Sequence, residues 1–217
     1  RALAEKINYE IVKGIAGNRE GLDLANWPRP NLAIVLVGAR ADSELYVSLK
    51  EKEAKKCGID THLYRCDENV LEKKLLELIN YLNKDDLIDA ILLQMPLPKN
   101  FDADKIIQAI DPAKDVDGFH PDNLEKLMSS CGDTEIMPPV FDAVLEILKS
   151  IKYDLSGEHV CIVSNSDIFG KGLAKALECQ GAQVEVVSAG DDELVEKTKK
   201  AGCLPTLRTP KTGGKLA

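Results

Sequence analysis

Two runs of the sequence are apolar at almost every position, Leu32 to Val37 (LAIVLV, closed by Gly38) and Ile88 to Gln94 (IDAILLQ). A strand wetted on one face alternates apolar and polar residues, so a continuous apolar run implies burial on both faces. That is the condition of a strand in a parallel sheet covered by helices on each side. Val160 to Val163 (VCIV) and Val184 to Val187 (VEVV) read as two further strands. Around these runs the apolar residues recur at three- and four-residue steps, which predicts helices. They cover Ala2 to Val12, then a segment starting after Asp42 or Ser43 and running through Tyr46, Val47 and Leu49 to Cys57, and Leu71 to Leu82. Asp104 to Ile110, Asp142 to Lys149 and Lys171 to Cys179 complete the set. Strands alternating with helices of this length imply parallel pairing and right-handed crossovers, hence an α/β fold.

The chain has 217 residues, room for two lobes when a domain takes about 100 to 150. The polar stretch from Ser150 to Gly157 reads as a hinge between them. Positive charges are interleaved with acids, as in Lys50-Glu51-Lys52-Glu53, and the net charge is −8. No basic stripe is left to neutralise phosphates, which argues against nucleic acid as a partner. No apolar run approaches the roughly 20 residues needed to span a bilayer, so no membrane partner is expected. Cys57, Cys66, Cys131, Cys161, Cys179 and Cys203 are widely spaced, without a Cys-x-x-Cys pair, and read as buried thiols of a reducing, cytoplasmic setting. His62, His120 and His159 are unclustered, so no metal is expected.

Three segments carry the candidate chemistry. Tyr46 and Lys50 are four apart on a predicted helix, so a phenol and an amine project from one face. That spacing also serves short-chain dehydrogenases, but there it follows the dinucleotide-binding strand, whereas here it precedes any nucleotide loop. Gln94-Met95-Pro96-Leu97-Pro98 leaves the carboxyl end of a strand, where open parallel sheets place their ligand crevice, and two prolines stiffen the exit and aim Gln94. Ile110 to Asn123 (IDPAKDVDGFHPDN) mixes charges, Gly and Pro too tightly for a core element, and suits a turn that presents carboxylates.

Taken together and in order, LAIVLVGARADSELYVSLKEKEAKKCGI, QMPLP and IDPAKDVDGFHPDN resemble the three signature regions of the bifunctional methylenetetrahydrofolate dehydrogenase/methenyltetrahydrofolate cyclohydrolase family. The likeness runs from about Arg1 to Val187 and is strongest between Leu32 and Asn123. It implies that Lys50 is the central catalytic lysine, Tyr46 the pocket tyrosine, Gln94 the glutamine bonded to that lysine, and Asp117 the carboxylate that grips the pterin ring. Pro96, Leu97, Gly213 and Gly214 are implied to line the folate site. These roles are chemically consistent. A carboxylate accepts two hydrogen bonds from an amino-pyrimidinone edge, an amine can exchange a proton with bound water, and flat rings stack on a phenol. For Lys50 to act as a base near neutral pH its ammonium must be destabilised by burial or by a cation such as Lys52 or Lys114.

The resemblance further implies a catalytic lobe over residues 1–138, a Rossmann-like nucleotide lobe over 139–207, and a terminal segment, 208–217, returning to the cleft where folate would sit. Ser164, Asn165, Ser166, Ile168, Gly170 and Ser188 would hold NAD or NADP, and a homodimer is implied. This lobe departs from the family pattern. Its loop, Val163 to Gly172 (VSNSDIFGKG), stands where relatives carry Gly-Arg-Ser-x-x-Val-Gly-x-Pro, and Asn165 replaces the arginine fork suited to a 2′-phosphate. Ser188-Ala189-Gly190-Asp191 likewise replaces His-Ser-Lys-Thr, and the lobe is short, being either curtailed or incomplete between about Gly202 and Arg208. The expected reactions are oxidation of methylenetetrahydrofolate and hydrolysis of the methenyl product to formyltetrahydrofolate. The alternatives are a cyclohydrolase alone, or a folate-binding protein that has lost hydride transfer.

Overall fold

A computed structural model describes residues 2–20, 29–131 and 136–201, and the chain divides into two compact units at His120/Pro121. The first unit contains α1 (Ala2–Glu20), β1 (Asn31–Val37), α2 (Ala41–Lys56), β2 (Asp60–Cys66), α3 (Glu72–Lys84), β3 (Ala90–Leu93) and α4 (Ala103–Gln108). Its strands form a parallel sheet in the order β2-β1-β3, with Ile34 opposite both Leu63 and Leu92. The centre of β1, Ala33 to Val37, is at most 3% exposed. Its side chains alternate between two layers. Ala33, Val35 and Val37 join Leu75, Ile79 and Leu82 of α3, while Ile34 and Leu36 meet Val47 of α2. Burial on both faces is the physical reason for the continuous apolar run.

Several local expectations needed correction. β2 was not anticipated, because DTHLYRC mixes polar and apolar residues and lies half-buried at the sheet edge. Helix α2 begins at Ala41, ahead of the expected start, and Asp42 belongs to its first turn, where its carboxylate accepts the Ser43 N–H at 2.9 Å. Helix α1 extends past Val12 to Glu20, with Asn8 donating to Glu53 of α2 at 3.0 Å.

The second unit contains α5 (Pro121–Ser129), α6 (Pro139–Ser150), β4 (His159–Val163), α7 (Asp167–Glu178), β5 (Gln183–Val187) and α8 (Leu194–Lys200). β4 and β5 pair in parallel, Val160 opposite Val184 and Val163 opposite Val187. Helix α5 was missed because its opening residues were read as the end of the acidic loop, yet Pro121 is well suited to a first turn. The stretch from Ser150 to Gly157 is not a hinge between units but the turn joining α6 to β4 inside the second one, with Leu155 buried. Since α5 and α6 both pack on α7, Cys131 just beyond α5 meets Cys179 at the end of α7, and the two form a disulfide with Cα atoms 5.1 Å apart. This overturns the expectation of thiols throughout. Cys57 and Cys161 are buried and free, Cys66 is half-buried and free, and Cys203 lies outside the described residues.

Helix α7 approaches its neighbours through glycine. A methyl group at Gly172 would stand 2.8 Å from Cε2 of Phe141, a ring that is wholly buried and meets Phe169 edge-on at 5.3 Å. The ring has no room to yield, so Gly172→Ala is expected to destabilise the protein by about 1–3 kcal/mol through overpacking. The urea midpoint measures this, and an unchanged midpoint would refute the packing argument.

Candidate functional site

The first site grows from the carboxyl edge of the three-stranded sheet. The backbone N–H of Gln94 donates to the carbonyl of Val35 at 2.9 Å, which continues the ladder one residue past β3 and fixes where the side chain leaves the sheet. The Gln94 side chain is buried, 7% exposed. Its Nε2 donates to the carbonyl of Met95 at 2.6 Å, so its Oε1 is the atom turned to Lys50, whose Nζ donates to it at 3.1 Å. Lys50 is half-buried on α2, the helix anchored beneath it by the buried Val47. Tyr46 lies one turn earlier and is 59% exposed, so its ring is open to a flat ligand. The Met95–Pro96 peptide is cis, Pro96 is exposed, and Leu97 packs against the apolar layer beneath.

Asp117 stands on the loop that follows α4. Burial pushes its carboxyl above the ordinary range; Lys50 acts against that shift and the neighbouring carboxylate of Asp115 adds to it. Lys50 thus links the Gln94 carboxamide, by a hydrogen bond, and the Asp117 carboxylate, by charge, within the first unit. One expectation about its surroundings fails. Lys114 is not the cation beside Lys50, because its Nζ donates to the carbonyls of Leu82 at 3.1 Å and Asp85 at 2.8 Å, at the end of α3. His120 is 8% exposed, with its backbone N–H donating to Asp115 at 2.8 Å. The sequence reading passed over Asp115 itself, which is 3% exposed. The tight mixture of charges in this loop was the available signal, and it does not say which carboxylate faces inward.

In the second unit the expected nucleotide residues gather where β4 and β5 end. Ser164 is buried, its N–H donates to the Val187 carbonyl at 2.9 Å, and its Oγ accepts the Ser166 N–H at 3.1 Å. Ser166 caps α7, accepting the Phe169 N–H at 3.3 Å. Gly170 lets α7 close on the sheet, since a methyl group there would lie 2.7 Å from Cγ1 of Val186. A strand, a tight turn and a helix N-terminus pressed onto the sheet fit the approach of a dinucleotide pyrophosphate. The exposed Asn165 Oδ1 accepts the Ala189 N–H at 3.1 Å, tying the loop to the end of β5, while Ile168 and Ser188 are exposed. The turn after β5 is acidic, with Asp191 paired to Lys197 at 2.9 Å and Asp192 and Glu193 beside it. Gly213 and Gly214 lie outside the described residues. A groove of about 500 Å³ between α6 and the turn after it, lined by Asp142, Lys149, Tyr153 and Leu155 among others, contains none of the expected residues. Among the described residues no group of His, Cys, Asp and Glu could hold a metal ion, and no helix is long and apolar enough to cross a membrane.

Residues 1–117 match the family described as tetrahydrofolate dehydrogenase/cyclohydrolase, catalytic domain, and residues 138–206 match its NAD(P)-binding domain. The chain is 40% identical over 81% of its length to the bifunctional protein FolD of Acetivibrio thermocellus, and spans 61% of that relative. It is 37% identical over 93% of its length to the same protein of a Nitratiruptor species, covering 69% of it. Among solved structures, the bifunctional FolD enzyme of Campylobacter jejuni superposes with a TM-score of 0.87 at 34% identity, over 95% of this chain and 71% of that one. The Trypanosoma brucei enzyme, complexed with NADP cofactor and inhibitor, gives 0.89 at 27% identity, over 95% and 69%.

Burial raises the Asp117 carboxyl, so the folded state holds its proton more tightly than the unfolded chain and ionised Asp117 costs stability at neutral pH. That cost is present above the folded pKa and fades as pH falls through it toward the ordinary carboxylate value of 3.8. Asp117→Asn is therefore expected to melt above the wild type at pH 7.5, with the difference closing as the solution is acidified toward pH about 4. Thermal melts across that range check the sign.

Proposed function

This chain belongs to the tetrahydrofolate dehydrogenase/cyclohydrolase family, and from the geometry of its first unit we propose that it binds a reduced folate and acts on its one-carbon bridge. The single observation that carries this reading is the 3.1 Å bond from Lys50 to Gln94, with Asp117 charge-coupled to the same amine. Asp117 accepts hydrogen bonds from the amino-pyrimidinone edge, Tyr46 stacks on the flat rings, and Pro96 and Leu97 border the site. Gln94, whose own amide is held by the Met95 carbonyl, keeps the Lys50 amine directed at the bound folate, where in its neutral form it can take the proton of the attacking water. In the hydrolytic step water adds to the methenyl carbon as its proton passes to a base. The carbon–nitrogen bond then breaks to leave the formyl group, and Lys50 is placed to move those protons.

The oxidative step needs a hydride acceptor, which a nicotinamide dinucleotide supplies when bound in the second unit. Ser164, Asn165, Ser166, Ile168, Gly170 and Ser188 would hold it. Of the two dinucleotides, NAD fits this unit better. A 2′-phosphate would meet the neutral Asn165, already engaged by Ala189, and the acidic turn Asp191 to Glu193 in place of a guanidinium fork. A cyclohydrolase without dehydrogenase activity is the second reading, favoured by the same departures in that loop.

Lys50→Met is expected to lower methenyltetrahydrofolate hydrolysis at least about a hundredfold, the scale of a lost proton-transfer group, while tetrahydrofolate still binds. Loss of methenyl absorbance measures the rate, and retained turnover would remove Lys50 from its role. Calorimetric titration should show NAD binding more tightly than NADP, with the gap narrowed in Asn165→Arg. Tighter NADP binding by the wild type would reverse the preference, and no binding of either would favour the hydrolase-only reading.

A further inference from the structure

The loop that carries Asp117 is half-buried and held at several points along its length. Before the carboxylate, residues 114–116 run beside β3 as a short parallel bridge. Ile91 donates its N–H to the Lys114 carbonyl at 2.7 Å and accepts from the Val116 N–H at 3.5 Å. Two further side chains tie the loop to the end of α3. Asn83 accepts the Asp111 N–H at 2.9 Å and donates to the Ala109 carbonyl at 2.7 Å, while Lys114 caps the last carbonyls of α3. After Asp117 the chain must reverse, and Gly118 takes a φ of +68°, a left-handed conformation that side chains disfavour. The reversal returns the backbone to Asp115, whose Oδ2 accepts the His120 N–H at 2.8 Å. Asp115 is 3% exposed and His120 8%.

We infer that Asp115 is a positioning residue of this site: its buried carboxylate closes the loop into a ring with Asp117 near the apex, and its negative charge sets the field in which Asp117 and Lys50 meet a ligand. This rests on the folate reading of Lys50, Gln94 and Asp117. The hydrogen bond is charge-assisted and buried, so it is stiffer than a neutral turn bond and fixes the apex more closely. The charge acts separately. Asp115 and Asp117 place two carboxylates beside one ammonium, and the groups that face Asp117 are Lys50 and Asp115. The excess negative charge suits a ligand edge that presents N–H donors.

Geometry and charge are separated by two variants. Asp115→Asn keeps the size of the side chain and an oxygen for the His120 N–H but removes the charge; Asp115→Ala removes both. The probe is tetrahydrofolate, titrated calorimetrically from pH 5 to 9 into the full chain, with near-ultraviolet circular dichroism recording the fold of each variant. Asp115→Ala is expected to bind about tenfold or more weakly at pH 7.5, the scale of a buried donor left without its acceptor. Asp115→Asn should bind within about threefold of wild type at that pH, since its acceptor survives. Its acid limb should nevertheless move to lower pH, because binding needs ionised Asp117 and the Asp115 charge holds that proton on. A folded Asp115→Asn with the wild-type acid limb overturns the inference and leaves Asp115 a plain loop staple. So does an Asp115→Ala that binds as wild type does, and where Asp115→Ala fails to fold the isosteric variant decides alone. A wild-type chain that does not take up tetrahydrofolate at any pH refutes the folate reading itself, a result distinguishable because it precedes any mutation.

Discussion

The amide of Gln94 donates to the carbonyl of Val35 one step beyond the end of β3, and at that bond packing is converted into chemistry. β1 has a hydrogen-bonded neighbour on each edge and an apolar layer on each face, so it cannot shift register without exposing its buried residues. Whatever is tied to its carboxyl end inherits that rigidity. Gln94 is tied there directly. Lys50 is tied through α2, whose Val47 is buried against Ile34, Leu36 and Leu92. The Asp117 loop is tied through Ile91 of β3. Lys50, Gln94 and Asp117 are therefore placed without help from any ligand, since all three refer back to one sheet.

The same arrangement stores an electrostatic cost. A half-buried carboxylate beside a second carboxylate is not a stabilising feature, and one ammonium bonded to a neutral carboxamide does not cancel it. Groups selected for folding alone would be expected to lose Asp117 to an asparagine, which fits the space without the charge. A carboxylate retained against that gradient is a reason to look for a ligand that compensates it. The second unit shows the opposite sign of argument. Its strand, turn and helix have the backbone form of a phosphate cradle, but the side chains around it are neutral or acidic. Backbone amides and a helix dipole can still take a pyrophosphate, whereas a further dianion on the ribose would meet the acidic turn after β5, where Lys197 is already shared among Asp191, Glu185 and Glu193.

The central strand was legible because burial on both faces writes itself as an unbroken apolar run, and α3 because its layer shows as Leu75, Ile79 and Leu82. β2 was not legible. An edge strand is half-wetted, and Asp60, His62 and Arg65 can all face water, so no periodicity separates it from a loop. α5 was hidden for a different reason: a helix may begin inside a motif whose earlier residues are irregular, and the acidic loop runs straight into Pro121. The bond from Lys50 to Gln94 and the charge coupling of Lys50 to Asp117 join residues that the sequence singles out by type and order. Their supports are not marked in that way. Asn83, Lys114 and Asp115 act through backbone groups, the first two far away in sequence, and a side chain that bonds to the backbone leaves no mark on the residue type of its partner.

The disulfide and the misread hinge have one origin in the second unit. The spacing of the cysteines and the polar composition of residues 150–157 do not reveal that α5 and α6 form one layer packed on α7. Gly172 allows Phe141 of α6 to lie against that helix, α5 packs on it as well, and Cys131 just beyond α5 meets Cys179 at the end of α7. Spacing alone could not pair cysteines 48 residues apart, because their proximity depends on which face of α7 is covered and by what. With that face covered, the stretch after α6 is left only to turn the chain back into β4. Its buried Leu155 and the bond from the Tyr153 hydroxyl to Glu158 at 3.1 Å hold the turn to its own unit, so the polar composition that suggested a hinge instead reflects a tight surface reversal.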